Sequence, residues 1–277
     1  MCPGVLRPWP AEDGLLVRLR TPGGYVRVDA LRRLGRIAEA YGDGRIRVTT
    51  RANLQVRGLA RRADGQANLP DEVVEEIAAT GLLPSPAHDV ARNVMASPAS
   101  GLAGGRADVR PVVRSLDALL LATPAMSALP GRFLFLLDDG RGDLVGRTSD
   151  VAAVALSDAR AQLRVGEQWS DVVAWIDVPG RLAALAGEFL GLRGAGPDAP
   201  WHVAELDRPL VAAQPAHPAL PEPTEPMPYG EVPGGFHHAV DDGLTPTALA
   251  DLTAHAHHTS HLVITPWRGI LIPQKAR

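Results

Sequence analysis

Hydrophobic residues alternate with polar ones at Leu15, Val17 and Leu19, and again from Arg47 to Gly58. In the second stretch Val48, Leu54 and Val56 fall on one face of an extended segment, and Arg47, Thr49, Arg51, Asn53 and Gln55 fall on the other. Between the two the period lengthens to that of a helix. Leu31, Leu34, Ile37, Ala38 and Tyr41 form one stripe, which predicts a helix from Ala30 to Tyr41, capped by Asp29 and closed by Gly42. Thr21-Pro22-Gly23-Gly24 predicts a turn, because proline presets φ and glycine admits positive φ. Strand, helix, strand, strand is the start of a small α+β sandwich with its helices on one face.

After a polar link at Arg61 to Gln66, helices are predicted at Pro70–Thr80, Val112–Ala122 and Pro179–Leu192. Strands are predicted at Phe133–Leu137, Val151–Leu156, Ala161–Val165 and Val172–Ile176, with a turn at Asp138-Asp139-Gly140. Dense prolines from Gly194 to Pro228 predict a semi-rigid connector. Beyond it the first pattern returns. Val232-Pro233-Gly234-Gly235 echoes Thr21-Pro22-Gly23-Gly24, Thr245 can cap a helix that opens with Pro246, and Leu262–Ile272 echoes Ile46–Val56. Aligning Thr265 on Thr49 puts Arg268 one place beyond the position of Arg51. The expected organisation is a half-domain at 1–65, a central α/β domain at 66–193, a connector at 194–228 and a second half-domain at 229–277. The two half-domains are expected to pack about a pseudo-two-fold axis.

Composition narrows the function classes. The 277 residues are 45% hydrophobic and 21% charged with a net charge of -3, enough for a core and with no excess that asks for nucleic acid. Lys275 is the only lysine among the 28 basic residues, a bias that discounts each arginine as a sign of anion binding. A single cysteine, Cys2, leaves no internal disulfide and no thiolate-built metal or iron–sulfur site from these residues. No apolar run approaches the roughly 18 residues of a membrane span, so the expectation is a cytoplasmic protein without a membrane partner.

The row Arg47, Thr49, Arg51, Asn53, Gln55 offers fixed donors suited to a large polyanion, against the plainer reading of a solvated hairpin face. Other constellations carry less. His237, His238, His255, His257, His258 and His261 include pairs at helical spacing, but no carboxylate is spaced to complete a metal site, and a polar helix surface accounts for them. Asp138-Asp139 and Asp241-Asp242 each lead into glycine and read as turns. Thr50, Ser97 and Ser100 have no evident base, and Gly101–Gly105 lacks the Lys-Ser/Thr of a phosphate loop.

In order, "MCPGVLRPWPAEDGLLVRLRTPGG", "RVTTRANLQVRG", "ARNVMASPASG", "LPGRF" and "VITPWRGILIP" resemble the nitrite and sulfite reductase superfamily, and within it the precorrin-3B synthases. The resemblance runs from about residue 2 to 273. It implies two ferredoxin-like half-domains related by a pseudo-two-fold, flanking a central α/β layer, with a polycarboxylate tetrapyrrole lying across arginine-rich loops. Carried over by position, it places Arg51, Asn53, Gln55, Arg92, Asn93, Arg132 and Arg268 against the macrocycle, where planar guanidinium groups suit carboxylates. The implied activity is oxidation of a precorrin in aerobic cobalamin biosynthesis, by dioxygen-dependent hydroxylation and γ-lactone formation. An electron-donor protein is the implied partner. The alternatives are a non-catalytic tetrapyrrole-binding protein or a siroheme nitrite/sulfite reductase remnant.

Two departures stand out. Sulfite reductases carry a Lys-Phe-Lys pattern that grips the inorganic anion, and here Arg132-Phe133-Leu134 puts a hydrocarbon in place of one cation. The resemblance also implies a [4Fe–4S] cluster, with siroheme or iron, on four cysteines after the second copy. This sequence ends at Arg277 with Cys2 as its one thiol, so an incomplete or truncated form without cluster ligands is expected.

Overall fold

The computed structural model describes residues 2–62, 66–196 and 198–274. Ala63, Asp64 and Gly65 of the expected polar link and Pro197 of the connector lie outside them. The chain opens with β1 (Trp9–Ala11), β2 (Gly14–Leu19), β3 (Tyr25–Arg27), α1 (Val28–Tyr41), β4 (Ile46–Val48), β5 (Leu54–Leu59) and α2 (Asp71–Ala79). The middle holds β6 (Val94–Ala96), α3 (Val109–Ala122), β7 (Phe135–Asp138), β8 (Val151–Ala155), β9 (Arg160–Val165), β10 (Gln168–Ala174) and α4 (Val178–Arg193). It closes with β11 (Gly230–Val232), β12 (Gly235–Ala239), α5 (Pro246–His255), β13 (His261–Thr265) and β14 (Gly269–Pro273). Contacts divide the chain into two compact units, Met1–Val90 with Met227–Arg277, and Ala91–Pro226. The α+β class expected from the sequence is the class found.

The first unit is a repeat made twice. Its sheets run β1-β2-β5-β4 and β11-β12-β14-β13-β3. In each, an antiparallel hairpin is followed by a helix and then a second hairpin whose last strand inserts beside the first. Alternation explains which face is buried. Val17, Leu19, Ile46, Val48, Leu54 and Val56 share one core cluster with Leu262, Ile264, Ile270 and Ile272, and the helices add Leu31, Leu34, Leu249 and Leu252. Burying each such side chain contributes about 1.5–3 kcal/mol.

The repeats also exchange backbone contacts in both directions. β3 of the first copy pairs with β13 of the second, Val26 opposite Leu262, while Leu244 of the second copy bridges Ile46 of the first. Ile46 and Leu262 occupy matching positions, as do Val26 and Leu244, so one contact is made twice about a pseudo-two-fold axis. α1 and α5 lie against each other at this axis. Gly35 permits the approach, since a Cβ there would stand 2.2 Å from Leu249 Cδ2.

Several sequence expectations are corrected. Asp29 does not cap α1: the helix starts at Val28 with Arg27 as its cap residue, and Asp29 in the first turn lies 3.3 Å from Arg27. A carboxylate there still complements the helix dipole. α3 starts earlier than Val112, because Asp108 accepts the Arg110 N–H at 2.9 Å and Pro111 is tolerated in the first turn. Val232-Pro233-Gly234-Gly235 is not the counterpart of Thr21-Pro22-Gly23-Gly24. It joins β11 to β12, as Ala11 to Gly14 joins β1 to β2, whereas Thr21–Gly24 leads from β2 toward β3. α2 packs with the first unit, burying Val73 and Ile77 in its core.

The second unit is one sheet, β10-β9-β8-β7-β6, parallel across β6, β7 and β8 and antiparallel beyond. α3 and α4 pack together and against it, and Phe133 stacks edge-on to Phe135 with ring centroids 5.1 Å apart. The proline-rich segment follows this sheet: the Gln214 N–H donates to Trp169 O, His217 N–H to Gln162 Oε1 and Thr224 N–H to Gly142 O. Among the described residues no helix is long and apolar enough to cross a membrane.

Candidate functional site

With α1 and the core on one face of the first sheet, the opposite face presents the polar side of the alternation. Arg18 on β2 is registered with Gln55 on β5, and Gln55 with Arg47 on β4, a row running across three strands. Together with Arg45, Val48, Thr49, Thr50, Asp241, Asp242 and Arg268 this row lines a pocket of about 580 Å³. Both repeats therefore contribute, the second through the loop before α5 and the β13–β14 turn.

The two turns are built alike. Thr49 Oγ1 accepts the N–H of Asn53 at 3.1 Å, and Thr265 Oγ1 accepts the N–H of Gly269 at 3.2 Å. Just before these donors sit Ala52 (φ 54°) and Arg268 (φ 57°), the two non-glycine residues with positive φ among those described. The tight left-handed step swings the Arg268 side chain to the pocket while Thr265 holds the turn from beneath.

Among the guanidinium groups the balance of partners is uneven. Arg47 pairs with Asp43 at 2.6 Å. Among the described residues Arg18 reaches only Gln55 Oε1, at 3.5 Å, and its buried Nε has no hydrogen-bond partner. Burial pulls the Arg18 pKa below the usual arginine value, and the like charge of Arg51 adds to the effect, opposed by Cys2. Arg20 is 2% exposed and, among the described residues, donates only to the carbonyls of Arg18 and Pro3. Burial and then the Arg18 charge push its pKa down to about 10. Neither Arg18 nor Arg20 has an ion pair among the described residues. A desolvated cation without a counter-charge is costly, and an entering anion relieves that cost.

Of the residues expected from the sequence, the pocket brings together Gln55 and Arg268. Asn53 supports the turn: it is buried, and its Oδ1 accepts the Thr21 N–H at 3.1 Å while Thr21 Oγ1 donates to Ala52 O. Arg51 stands half-buried in the same turn. Arg92, Asn93 and Arg132 belong to the second unit. There Arg92 binds Asp117 in two-pronged fashion at 2.6 and 2.8 Å, Asn93 Nδ2 donates to Gly131 O at 2.8 Å, and Arg132 is exposed. Arg18 and Arg45 were not among the expected site residues. For Arg18 the signal was present in the alternation, which buries Leu15, Val17 and Leu19 and leaves Arg18 on the polar face. A larger groove of about 1140 Å³ lies in the second unit, but its lining is mainly apolar, including Val112, Leu119, Ile176 and Pro179.

Residues 9–63 match the family model described as nitrite/sulfite reductase ferredoxin-like half domain. The chain is 36% identical over 85 residues to the NADPH sulfite reductase hemoprotein beta-component of Staphylococcus carnosus, a match covering 30% of this chain and 14% of that protein. It is 41% identical over 59 residues to a precorrin-3B synthase of a Sinorhizobium species, covering 21% of this chain and 13% of that protein. These matched stretches are well under two thirds of either relative's length. The structure of the Mycobacterium tuberculosis NirA protein superposes with a TM-score of 0.71 at 19% identity, covering 98% of this chain and 59% of that one, a likeness of fold.

Proposed function

From a chain that carries a nitrite/sulfite reductase ferredoxin-like half domain at residues 9–63 and a NirA-like fold along its length, we propose a precorrin-3B synthase-like oxidoreductase whose first repeat binds a polycarboxylate tetrapyrrole. The observation that carries this reading is the unpartnered Nε of Arg18 in a pocket that also holds Arg45, Arg47 and Arg268. Acetate and propionate groups on a ring edge are planar carboxylates spaced along a line, and the Arg18–Gln55–Arg47 row presents donors along a line. Arg18 and Arg268 bind and orient such groups, Gln55 donates between them, and Asp241 and Asp242 repel a carboxylate placed out of register.

The residues of this chain do not fit the [4Fe–4S] cluster that the resemblance implies. Such a cluster takes four thiolates, and the sequence holds one, the half-buried Cys2. No step is therefore assigned to a cluster, and the same fact favours a second reading, a tetrapyrrole-binding protein that these residues alone do not make catalytic. A siroheme nitrite/sulfite reductase is supported less well. The position of the second anion-gripping lysine is Leu134, 3% exposed and held by its N–H to Asp150 Oδ2.

Absorption titration of the purified protein with octacarboxylic uroporphyrin and dicarboxylic protoporphyrin tests the reading. Uroporphyrin should bind at least tenfold more tightly, with the preference shrinking as salt is added. Equal affinity for both rings, or binding indifferent to salt, would rule out carboxylate recognition by this pocket.

A further inference from the structure

We propose that Asp138, Asp139 and Asp143 in the second unit form a binding site for a hard divalent cation of the calcium class. The three carboxylates come from the loop Asp138-Asp139-Gly140-Arg141-Gly142-Asp143 that leaves β7, and one oxygen of each lies within 4.8 Å of the others. They are deeply placed: Asp138 and Asp139 are 0% exposed, and the Asp143 side chain is 6% exposed.

Their partners leave the cluster short of positive charge. Asp138 accepts the N–H groups of Gly140, Gly142 and Leu144. Asp139 is held by Arg141, with its Oδ2 at 2.6 Å from Nη2 and Oδ1 at 2.9 Å from Nε. Asp143 Oδ1 accepts the Ser97 hydroxyl at 2.6 Å, but Asp143 Oδ2 is buried with no hydrogen-bond partner among the described residues, its ion-pair partner Arg141 Nε standing 3.9 Å away. A buried carboxylate oxygen left without a donor, beside two more carboxylates, is a vacant ligand position for an oxygen-seeking ion.

The chain around it is shaped for that purpose. Gly140 (φ 88°) and Gly142 (φ 86°) let the loop curl so that Asp143, four and five residues beyond Asp139 and Asp138, converges on them, as loops that wrap an ion do. A Cβ at Gly105 would stand 2.3 Å from Asp139 Oδ2, so glycine keeps that side open. The location is the carboxyl end of the parallel strands β6 and β7, with Ser97 following β6 and Asp138 ending β7, the edge where open α/β sheets take ligands. All ligands are oxygens, which excludes a soft metal. The depth of the site favours calcium, with its loose coordination, over magnesium, which keeps its waters.

Calorimetry on protein stripped with a chelator and titrated in turn with calcium, magnesium and manganese chlorides tests the site. One saturable calcium site per chain is expected, in the micromolar to millimolar range, with a rise in Tm of about 5 °C at hundredfold excess over Kd. Asp143→Asn keeps the shape and removes the free anionic oxygen, so its calcium affinity should fall at least tenfold while its metal-free Tm stays equal or rises. Asp207→Asn, at an exposed aspartate outside both sites, should leave calcium binding unchanged. Absence of saturable binding by all three ions to the parent would overturn the proposal whatever the variant does, as would equal calcium affinity in parent and Asp143→Asn.

Discussion

The two repeats of the first unit have one backbone plan and opposite chemistry on the face away from their helices. In the first, β2, β5 and β4 carry Arg18, Gln55 and Arg47 across the sheet. In the second, the matching row on β12, β14 and β13 is His237, Leu271 and Val263, all 2% exposed or less. The core-facing residues differ little: Ile46, Val48, Leu54 and Val56 become Leu262, Ile264, Ile270 and Ile272. Half of the alternation thus specifies the fold and is kept in kind, while the other half is free to carry chemistry and differs. His237 shows how the second repeat closes its row. Nδ1 faces Pro228 O and Nε2 faces Thr265 Oγ1, each at 2.9 Å, and the ring packs 4.8 Å from that of Tyr229.

The comparison breaks most readily at the shared contact. Ile46→Ala and Leu262→Ala remove matching core side chains, and each should cost about 2–5 kcal/mol by urea unfolding. Costs differing by more than about 3 kcal/mol would show that the two-fold equivalence is one of outline only. Next in size, His237→Leu puts an apolar side chain into the second row, strands the Pro228 carbonyl and leaves the Thr265 hydroxyl only its bond from the Gly269 N–H, at about 1–3 kcal/mol. The corresponding Arg18→Leu removes a buried charge without an ion pair, and it should leave stability unchanged or raised.

A smaller effect comes from pH. Burial pushes the His237 pKa below its ordinary 6.5, so the unfolded chain takes up a proton more readily than the folded one. The stability this contributes is present above about pH 6.5 and is lost as the pH falls below it. Melting curves between about pH 5 and pH 7.5 should therefore slope upward with pH for the parent and more gently for His237→Gln. Smallest of all, Ala52→Gly and Arg268→Gly each relieve a left-handed residue and should add up to about 1 kcal/mol. Only Arg268→Gly should also weaken porphyrin binding.

Much of the fold was legible because it rests on periodicity. The alternation at Leu15–Leu19 and the stripe from Leu31 to Tyr41 correspond to β2 and α1, and the offset that places Thr265 on Thr49 recurs in their hydrogen bonds to Asn53 and Gly269. The Pro-Gly-Gly likeness misled because glycine and proline mark turns without saying which strands a turn joins. Gln55 and Arg268, expected from the sequence as ring-binding residues, line the pocket. Arg45 carried no such expectation, since it enters the pocket from the segment between α1 and β4, its Nη1 3.5 Å from Asp242 O. The Asp138-Asp139 pair, expected as an ordinary turn, is a turn whose carboxylates are buried, which depends on long-range packing that spacing does not encode.

The central claim is that the polar row of the first repeat holds ring carboxylates, and the most direct measurement is a uroporphyrin titration of the parent beside Arg18→Leu, with Tm recorded for both. Loss of one charge-assisted contact of about 1.5–3 kcal/mol should weaken binding roughly 10- to 150-fold, with Tm unchanged or higher. A Kd for Arg18→Leu equal to that of the parent would contradict it.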